Sequence, residues 1–293
     1  LGEAMHGAAM NHVVSRSVRD SAHMLDATHG AEAVSWYRLE PPECSYAESV
    51  EHDPKPLRIG YSTRSPIGSE VHSEAIAAVE NAARLLESLG HHVEPAEPRD
   101  YGPQMGQDFL TMWFPNAATV VDEVRRRTGC GNAGFELDTL AMAALGRAIG
   151  TDEYVAAYLR WNDYQAALAE FHSRYDFFMT PTVAAPPPHI GEVATPRWQQ
   201  WLLRVVLATH TTRAVIRLGV VEKMAFENFK WVPFTQLANL TGVPAMSVPL
   251  HWTPDGLPMG VQFVGRHGGE GALFSLAGQL ERAQPWAGRY PQL

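Results

Sequence analysis

The chain of 293 residues can bury a sizeable core, and at 45% hydrophobic and 19% charged it reads as a soluble globular protein rather than a disordered one. Its 32 acidic residues outnumber 23 basic ones, and a formal charge of -9 lacks the positive field a nucleic-acid partner selects. Two cysteines, Cys44 and Cys130, exclude a disulfide scaffold or cysteine-ligated zinc. No apolar run reaches the roughly 18 residues of a membrane span, and the first residues show no basic region followed by an apolar core, so the expected compartment is the cytoplasm.

LGEAMHGAAMNHVV opens without an initiator methionine and runs quickly into structured sequence, as the middle of a longer protein would. SVRDSAHMLDATHG supplies Ser17 as a helix cap, Asp20 in the first turn, Val18, Ala22 and Leu25 on one side and Gly30 as a stop, which predicts a short helix. Ser35 to Pro56 is proline-rich and acidic without a period and reads as a surface loop. LRIGYS is a short apolar strand from Leu57 to Ser62. Behind it SEAIAAVENAARLLESLG places Ile76, Val79, Ala83 and Leu86 at helical spacing before Gly90, and HHVEPAE supplies a second strand. Strand, helix and strand with short joins predict a crossover unit, hence a parallel or mixed sheet covered by helices.

Three helical stretches follow, around Gln107 to Arg127, Phe135 to Ile149 and Thr151 to Ser173, the last with Thr151 as cap. DFFMTPTVAAPPPHIG is an apolar strand from Asp176 that ends in Thr-Pro-Thr and a proline run, which stops the ladder. Trp198 to Met224 carries Trp198, Trp201, Leu202, Val205 and Val206 and reads as a core helix, with a flap over a pocket as the alternative. FTQLANLTG is helix-like and PAMSVPL and MGVQFVG are strands. Gly242 and Pro244 set the helix-to-strand turn, Pro249 ends the first strand, and Asp255-Gly256 makes a hairpin.

Chemical motifs are scarce. Gly129, Gly131 and Gly134 spell GxGxxG but follow the helical VVDEVRRRT instead of a strand, so a dinucleotide site lacks its context. There is no GxSxG elbow, Walker loop or HExxH, and no cofactor or metal is expected. His91 and His92 read as a solvated strand end, and Asn239-Leu240-Thr241 as a chance glycosylation match.

DFFMTPTVAAPPPHIG followed by PFTQLANLTGVPAMSVPL and LPMGVQFVG resembles the C-terminal half of the amidase signature family. HVVSRSVRDSAHMLDATHG resembles the segment after that family's catalytic core, and LRIGYS with its helix and HHVEP resembles its next crossover. The resemblance implies an α/β/α fold, a mixed sheet with helices on both faces, present here as the C-terminal part (1–293) of one amidase domain. It also implies hydrolysis of carboxylic amides by two serines and a lysine. No Gly-Gly-Ser-Ser run occurs, and Lys55, Lys223 and Lys230 lie in no matching context, so no catalytic residue is assigned. Ser247, between Met246 and Val248 with no lysine or histidine within three residues, reads as a strand residue. The expectation is a chain inactive alone, with a bare strand edge that pairs with a missing N-terminal half or with another copy.

The aromatic cluster DFLTMWFPNAATV, beginning at Asp108, adds a candidate pocket. Pro115 interrupts a helix directly after Trp113 and Phe114, and Asn116 adds a polar group able to orient an amide. With Phe234 and Phe263, on segments the family places around its acyl site, Trp113, Phe114 and Asn116 are the expected lining of a cleft for a hydrophobic amide such as a linear or cyclic amino-acid oligomer. The competing reading puts these aromatics in the core.

Overall fold

In a computed structural model of the chain, residues 4–33, 35, 38, 40–209 and 229–290 are described. Helix α1 (Val18–Thr28) starts where the sequence places it, with the Ser17 hydroxyl accepting the Asp20 N–H at 3.1 Å. Helix α2 (Tyr46–Glu51) corrects the loop expected over Ser35 to Pro56. Ser45 caps it by accepting the Glu48 N–H at 3.1 Å, and the Asp26 carboxylate on α1 accepts the N–H groups of Tyr46 and Ala47 at 2.7 and 2.9 Å. A carboxylate thus sits on the positive end of α2 and fixes its direction from α1.

Strand β1 (Arg58–Tyr61), helix α3 (Ser73–Ser88) and strand β2 (His92–Pro95) form the expected crossover, with β1 and β2 parallel. Helices α4 (Pro103–Thr128), α5 (Leu137–Gly146) and α6 (Thr151–His172) then lead to β3 (Phe177–Pro181), which lies parallel to β1 on its other side. Gly150, not Thr151, is the N-cap of α6. Helix α7 (Arg197–Ala208) and helix α8 (Gln236–Thr241) precede the hairpin of β4 (Ala245–Trp252) and β5 (Pro258–Val264), and helix α9 (Glu270–Ala283) follows. The five strands order as β2-β1-β3-β5-β4, with β5 antiparallel to both β3 and β4, so the sheet is mixed. Pro249 does not end β4: it falls where the register shifts between Val248 and His251, a place that spares the ladder the N–H proline lacks.

Alternation along the strands builds two cores. Ile59, Phe177, Met179, Val261 and Phe263 face one side, where Ala75, Val79 and Leu86 of α3 and Leu273, Leu276 and Leu280 of α9 cover them. Phe178 and Val264 face the other side, against Met105 and Met112 of α4, Trp161, Leu168 and Phe171 of α6 and Leu237 and Leu240 of α8. Each fully buried Phe or Leu contributes about 1.5–3 kcal/mol of transfer free energy. Gly60 of β1 is a fitting requirement, because a Cβ there would lie 2.6 Å from the Phe171 ring. Helices therefore cover both faces of the sheet, as expected.

A buried carboxylate ties α4 to α6. Asp108, 1% exposed, accepts from Nε and Nη2 of Arg160 at 2.8 and 2.6 Å, from the Tyr164 hydroxyl at 2.6 Å and from Gln104 at 2.9 Å. Burial, then the hydrogen bond to Asp108, pushes the Tyr164 hydroxyl well above its ordinary range, so it remains a donor. His91 is a correction to the solvated strand end: it is buried, Nδ1 accepts the Leu57 N–H at 3.1 Å, and Nε2 bonds Oε1 of Gln279 at 2.8 Å. The core expectation for the helix starting near Trp198 holds only in part. Val206 is buried and Leu207 packs on Ala118, Val121, Leu140 and Ala143, whereas Trp198, Trp201 and Val205 are exposed. The remainder of that stretch, including Lys223, lies outside the described residues.

Close backbone approach between α9 and α2 generates one expectation. A Cβ on Gly278 would lie 2.2 Å from the Val50 carbonyl oxygen, which also accepts Nη1 of Arg282 at 2.7 Å. Gly278→Ala should lower unfolding free energy by about 1–3 kcal/mol in chemical denaturation, as overpacking does. Gly131→Ala, whose added methyl meets nothing within 4 Å, should stay within about 0.5 kcal/mol.

His172 generates a second. Its Nδ1 donates to the Tyr175 carbonyl at 3.1 Å while Nε2 is buried without a hydrogen-bond partner of good geometry, and burial holds its pKa below the ordinary 6.5. Below that ordinary value the unfolded chain takes up a proton that the folded chain resists. The stability this group confers is thus full above about pH 6.5 and is lost as pH falls toward the folded pKa. His172→Asn keeps a donor for Tyr175 without a titrating ring. Between pH 7.5 and 5.5 its denaturation midpoint should fall less steeply than the wild type's, and parallel slopes would refute the assignment.

Candidate functional site

The stretch around Pro115 lies inside α4, which continues through the proline. Pro115 has no N–H, so the Thr111 carbonyl loses its usual helical donor. Asn116 turns its amide inward, Nδ2 donating to the Met112 carbonyl at 2.8 Å, and the Thr119 hydroxyl donates to the Pro115 carbonyl at 3.0 Å. Opposite them α5 ends at Gly146, where a Cβ would lie 2.1 Å from the Phe114 oxygen, so only glycine allows this approach. Between α4 and the start of α6 opens a cleft of about 300 Å³, lined among others by Pro115, Asn116, Thr119, Ile149, Thr151 and Tyr154. That volume is at the small end for ligand sites. The Tyr154 hydroxyl is held by Nε2 of His6 at 2.7 Å.

The five expected pocket residues are not brought together. Asn116 lines the cleft. Trp113, 38% exposed, stacks on Phe109 at 5.7 Å between ring centroids, and Phe109 stacks on Phe229 at 5.8 Å. Phe114 is partly buried and meets α5 through its backbone. Phe234 and Phe263 are 1% and 0% exposed and lie on opposite faces of the sheet, Phe234 among the α4, α6 and α8 side chains and Phe263 under α3 and α9. Strand alternation is the reason: Phe263 shares a face with Val261, while Gln262 between them points the other way and donates to the Phe234 carbonyl at 3.1 Å. Those two aromatics cannot line one cleft. Thr119 and Tyr154 were not foreseen, although Thr119 stands one turn beyond Asn116 on the same helix.

Ser247 sits on the exposed part of β4. Its hydroxyl lies 2.6 Å from that of Thr182, and the two meet over Gly260, where a Cβ would lie 2.5 Å from one oxygen and 2.8 Å from the other. A threonine hydroxyl is no general base, so this arrangement does not activate a nucleophile. The other titratable cluster is structural. Burial raises Glu97, but hydrogen bonds from Arg64 and Ser62 and the Arg64 charge outweigh it and hold its carboxyl below the usual range. Among the described residues no group of three or more His, Cys, Asp or Glu is placed to hold a metal ion, and no helix is long and apolar enough to cross a membrane.

Comparison with known proteins supplies what the geometry does not. The family model described as Amidase matches residues 3–274. The chain is 32% identical over 292 residues to the 6-aminohexanoate-cyclic-dimer hydrolase of Pseudomonas sp. (strain NK87), a match covering 98% of this chain and 56% of that protein. To the enzyme of the same name from Paenarthrobacter ureafaciens it is 30% identical over 292 residues, with the same 98% and 56% shares. A solved structure of 6-aminohexanoate cyclic dimer hydrolase complexed with substrate superposes with a TM-score of 0.78 at 26% identity, over 95% of this chain and 55% of that one. The chain spans about half the length of the curated relatives it matches. With a family model running along nearly the whole sequence and a mixed sheet matching that of a solved member, the chain belongs to the amidase family.

Proposed function

We propose that residues 1–293 form the scaffold and one wall of the substrate cleft of an amidase that hydrolyses non-peptide carboxylic amide C–N bonds, with the two serines and lysine of the reaction on a segment outside these residues. In this reading the chain is the C-terminal part of one amidase domain. The observation that carries it is the pairing of Ser247 with Thr182 inside a chain that matches the amidase model along residues 3–274: the family is there, and the hydroxyl that partners Ser247 is no base. Lys55 is exposed and far in sequence from Ser247.

Two relatives are named for a cyclic dimer of 6-aminohexanoate, which supports linear or cyclic amino-acid oligomers as the substrate class. Trp113 and Asn116, one helical turn apart on α4, are the wall this chain contributes. The edge strand β4 is where the remaining segment, or a second copy, docks. Nucleic acid is no partner in this reading, and the cytoplasm is its compartment. The second reading, a binding or structural protein derived from an amidase, is favoured by the same unactivated Ser247.

Purified 1–293 should not turn over a simple aryl or aliphatic amide, since positioning alone does not cleave one. Turnover that Ser247→Ala abolishes would overturn the proposal and make Ser247 the nucleophile.

In the complete enzyme, Trp113→Ala should change the ratio of kcat/KM between a bulky and a small amide about tenfold, roughly 1.4 kcal/mol. Its stability cost should be about 1 kcal/mol, because the ring is partly exposed. A loss of about 3–5 kcal/mol with unchanged preference is the signature of a core tryptophan and would remove it from the cleft.

A further inference from the structure

We propose that the outward face of α7 docks on an anionic lipid surface, lying along the plane of its headgroups. Helical spacing puts Trp198, Trp201 and Val205 on one side of α7, with Arg197 and Arg204 one turn before and after Trp201. All five are exposed, Trp198 at 66% and Trp201 at 65%. On the inner side Val206 is buried and Leu207 packs on Ala118, Val121, Leu140 and Ala143. The Thr195 hydroxyl donates to Asp138 of α5 at 2.9 Å, and Nε2 of Gln200 donates to the Thr195 carbonyl at 2.8 Å, so the start of the helix is tied down with its tryptophans outward. Single exposed apolar residues are ordinary, but a stripe of two tryptophans and a valine is an interaction surface.

Composition and charge identify the partner. Indole rings settle at headgroup level, and arginines beside them meet lipid phosphates, which is the make-up of a helix that lies on a bilayer. From Val193 to Thr209 the sequence holds no Asp or Glu, and among the described residues neither Arg197 nor Arg204 makes an ion pair. The neighbouring acids, Glu192 and Asp138, lie at the start of the helix, whereas Arg204 stands about 10 Å beyond Arg197, more than a Debye length at physiological salt. The same screening weakens the repulsion from a net charge of -9 spread over the chain and leaves the two guanidinium groups acting at contact. In the amidase reading the remaining segment docks at β4, against which α3 and α9 pack. Helix α7 instead rides on α5 and the far part of α4, in a cluster that includes no strand residue, so its outward face is left for another partner.

Cosedimentation with vesicles tests this without reference to turnover. Residues 1–293 and the complete protein should both bind vesicles of equimolar phosphatidylglycerol and phosphatidylcholine, and bind phosphatidylcholine alone at least about tenfold more weakly. Trp198→Ala with Trp201→Ala should weaken binding to the anionic vesicles at least about tenfold, and brominated lipid should then quench less tryptophan fluorescence. Arg197→Gln with Arg204→Gln should weaken it by about thirtyfold and flatten its dependence on salt. Both pairs are exposed, and should the tryptophan pair not fold, the arginine pair still decides. Equal binding to phosphatidylcholine, binding that both pairs leave unchanged, or no vesicle binding by 1–293 would each overturn the proposal. Binding by 1–293 that the complete protein loses would assign the face to the remaining segment and overturn it too. So would self-association of 1–293 that the tryptophan pair abolishes without any vesicle binding, which would assign the face to a second copy.

Discussion

Strand β3 has no exposed residue from Phe177 to Pro181, and a strand buried on both faces needs an apolar layer above and below it. From that constraint the architecture follows. Phe177 and Met179 require α3 and α9 on one side, and Phe178 requires α4, α6 and α8 on the other. The chain runs from β1 through α3 to β2, then from β2 through α4, α5 and α6 back past β1 to β3 on its other side, which is the order β2-β1-β3 observed. The polar pair at the end of β3 obeys the same rule. Thr180 is fully buried, and its hydroxyl is met by Nε2 of Gln262 at 3.2 Å, so the strand carries no orphaned hydroxyl into the core.

Much of this was legible in the sequence, since the two periods of 2 and 3.6 are direct consequences of backbone geometry. Ile59, Val79 and Leu86 were placed correctly because each sits on a segment whose period is unambiguous. Helix α2 was missed because prolines surround it and it is six residues long, yet Ser45 and Glu48 carry the spacing of a helix start. Helix α9 also carries a legible pattern, since Leu273, Leu276 and Leu280 recur at helical spacing. His91 was misread because its partners, the Leu57 N–H and Gln279, are distant in sequence, and no local pattern announces a hydrogen bond across 188 residues.

The site was less legible, for a reason that lies in strand geometry. An aromatic residue in a strand belongs to one core or the other, and a shift of one position exchanges them. Phe263, on β5, packs under α3 and α9, while Phe234, in the turn before α8, packs on the opposite face. The stretch around Asn116 stands out in sequence because a proline inside a helix disturbs the backbone whatever the tertiary context, and Asn116 lines a cleft beside that disturbance. Gly146 could not have been found that way, because its role is set by a contact with the Phe114 carbonyl from another helix.

Strand β4 is an edge of the sheet. Val248 and Leu250 are buried beneath the sheet, but Ala245 and Ser247 on the other face are exposed, and among the described residues β5 is the strand that pairs with it. Long unpaired edges with small side chains are associative, and monomeric proteins commonly blunt them with charge or cover them. Here the exposed residues are an alanine and a serine, and the neighbouring strand offers Gly260. A surface of such small groups lets a further backbone approach closely, while one of lysines would not. That property supports the proposed function over a free-standing binding module: it suits a scaffold against which the remainder of an amidase packs, in a chain that spans about half the length of its curated relatives.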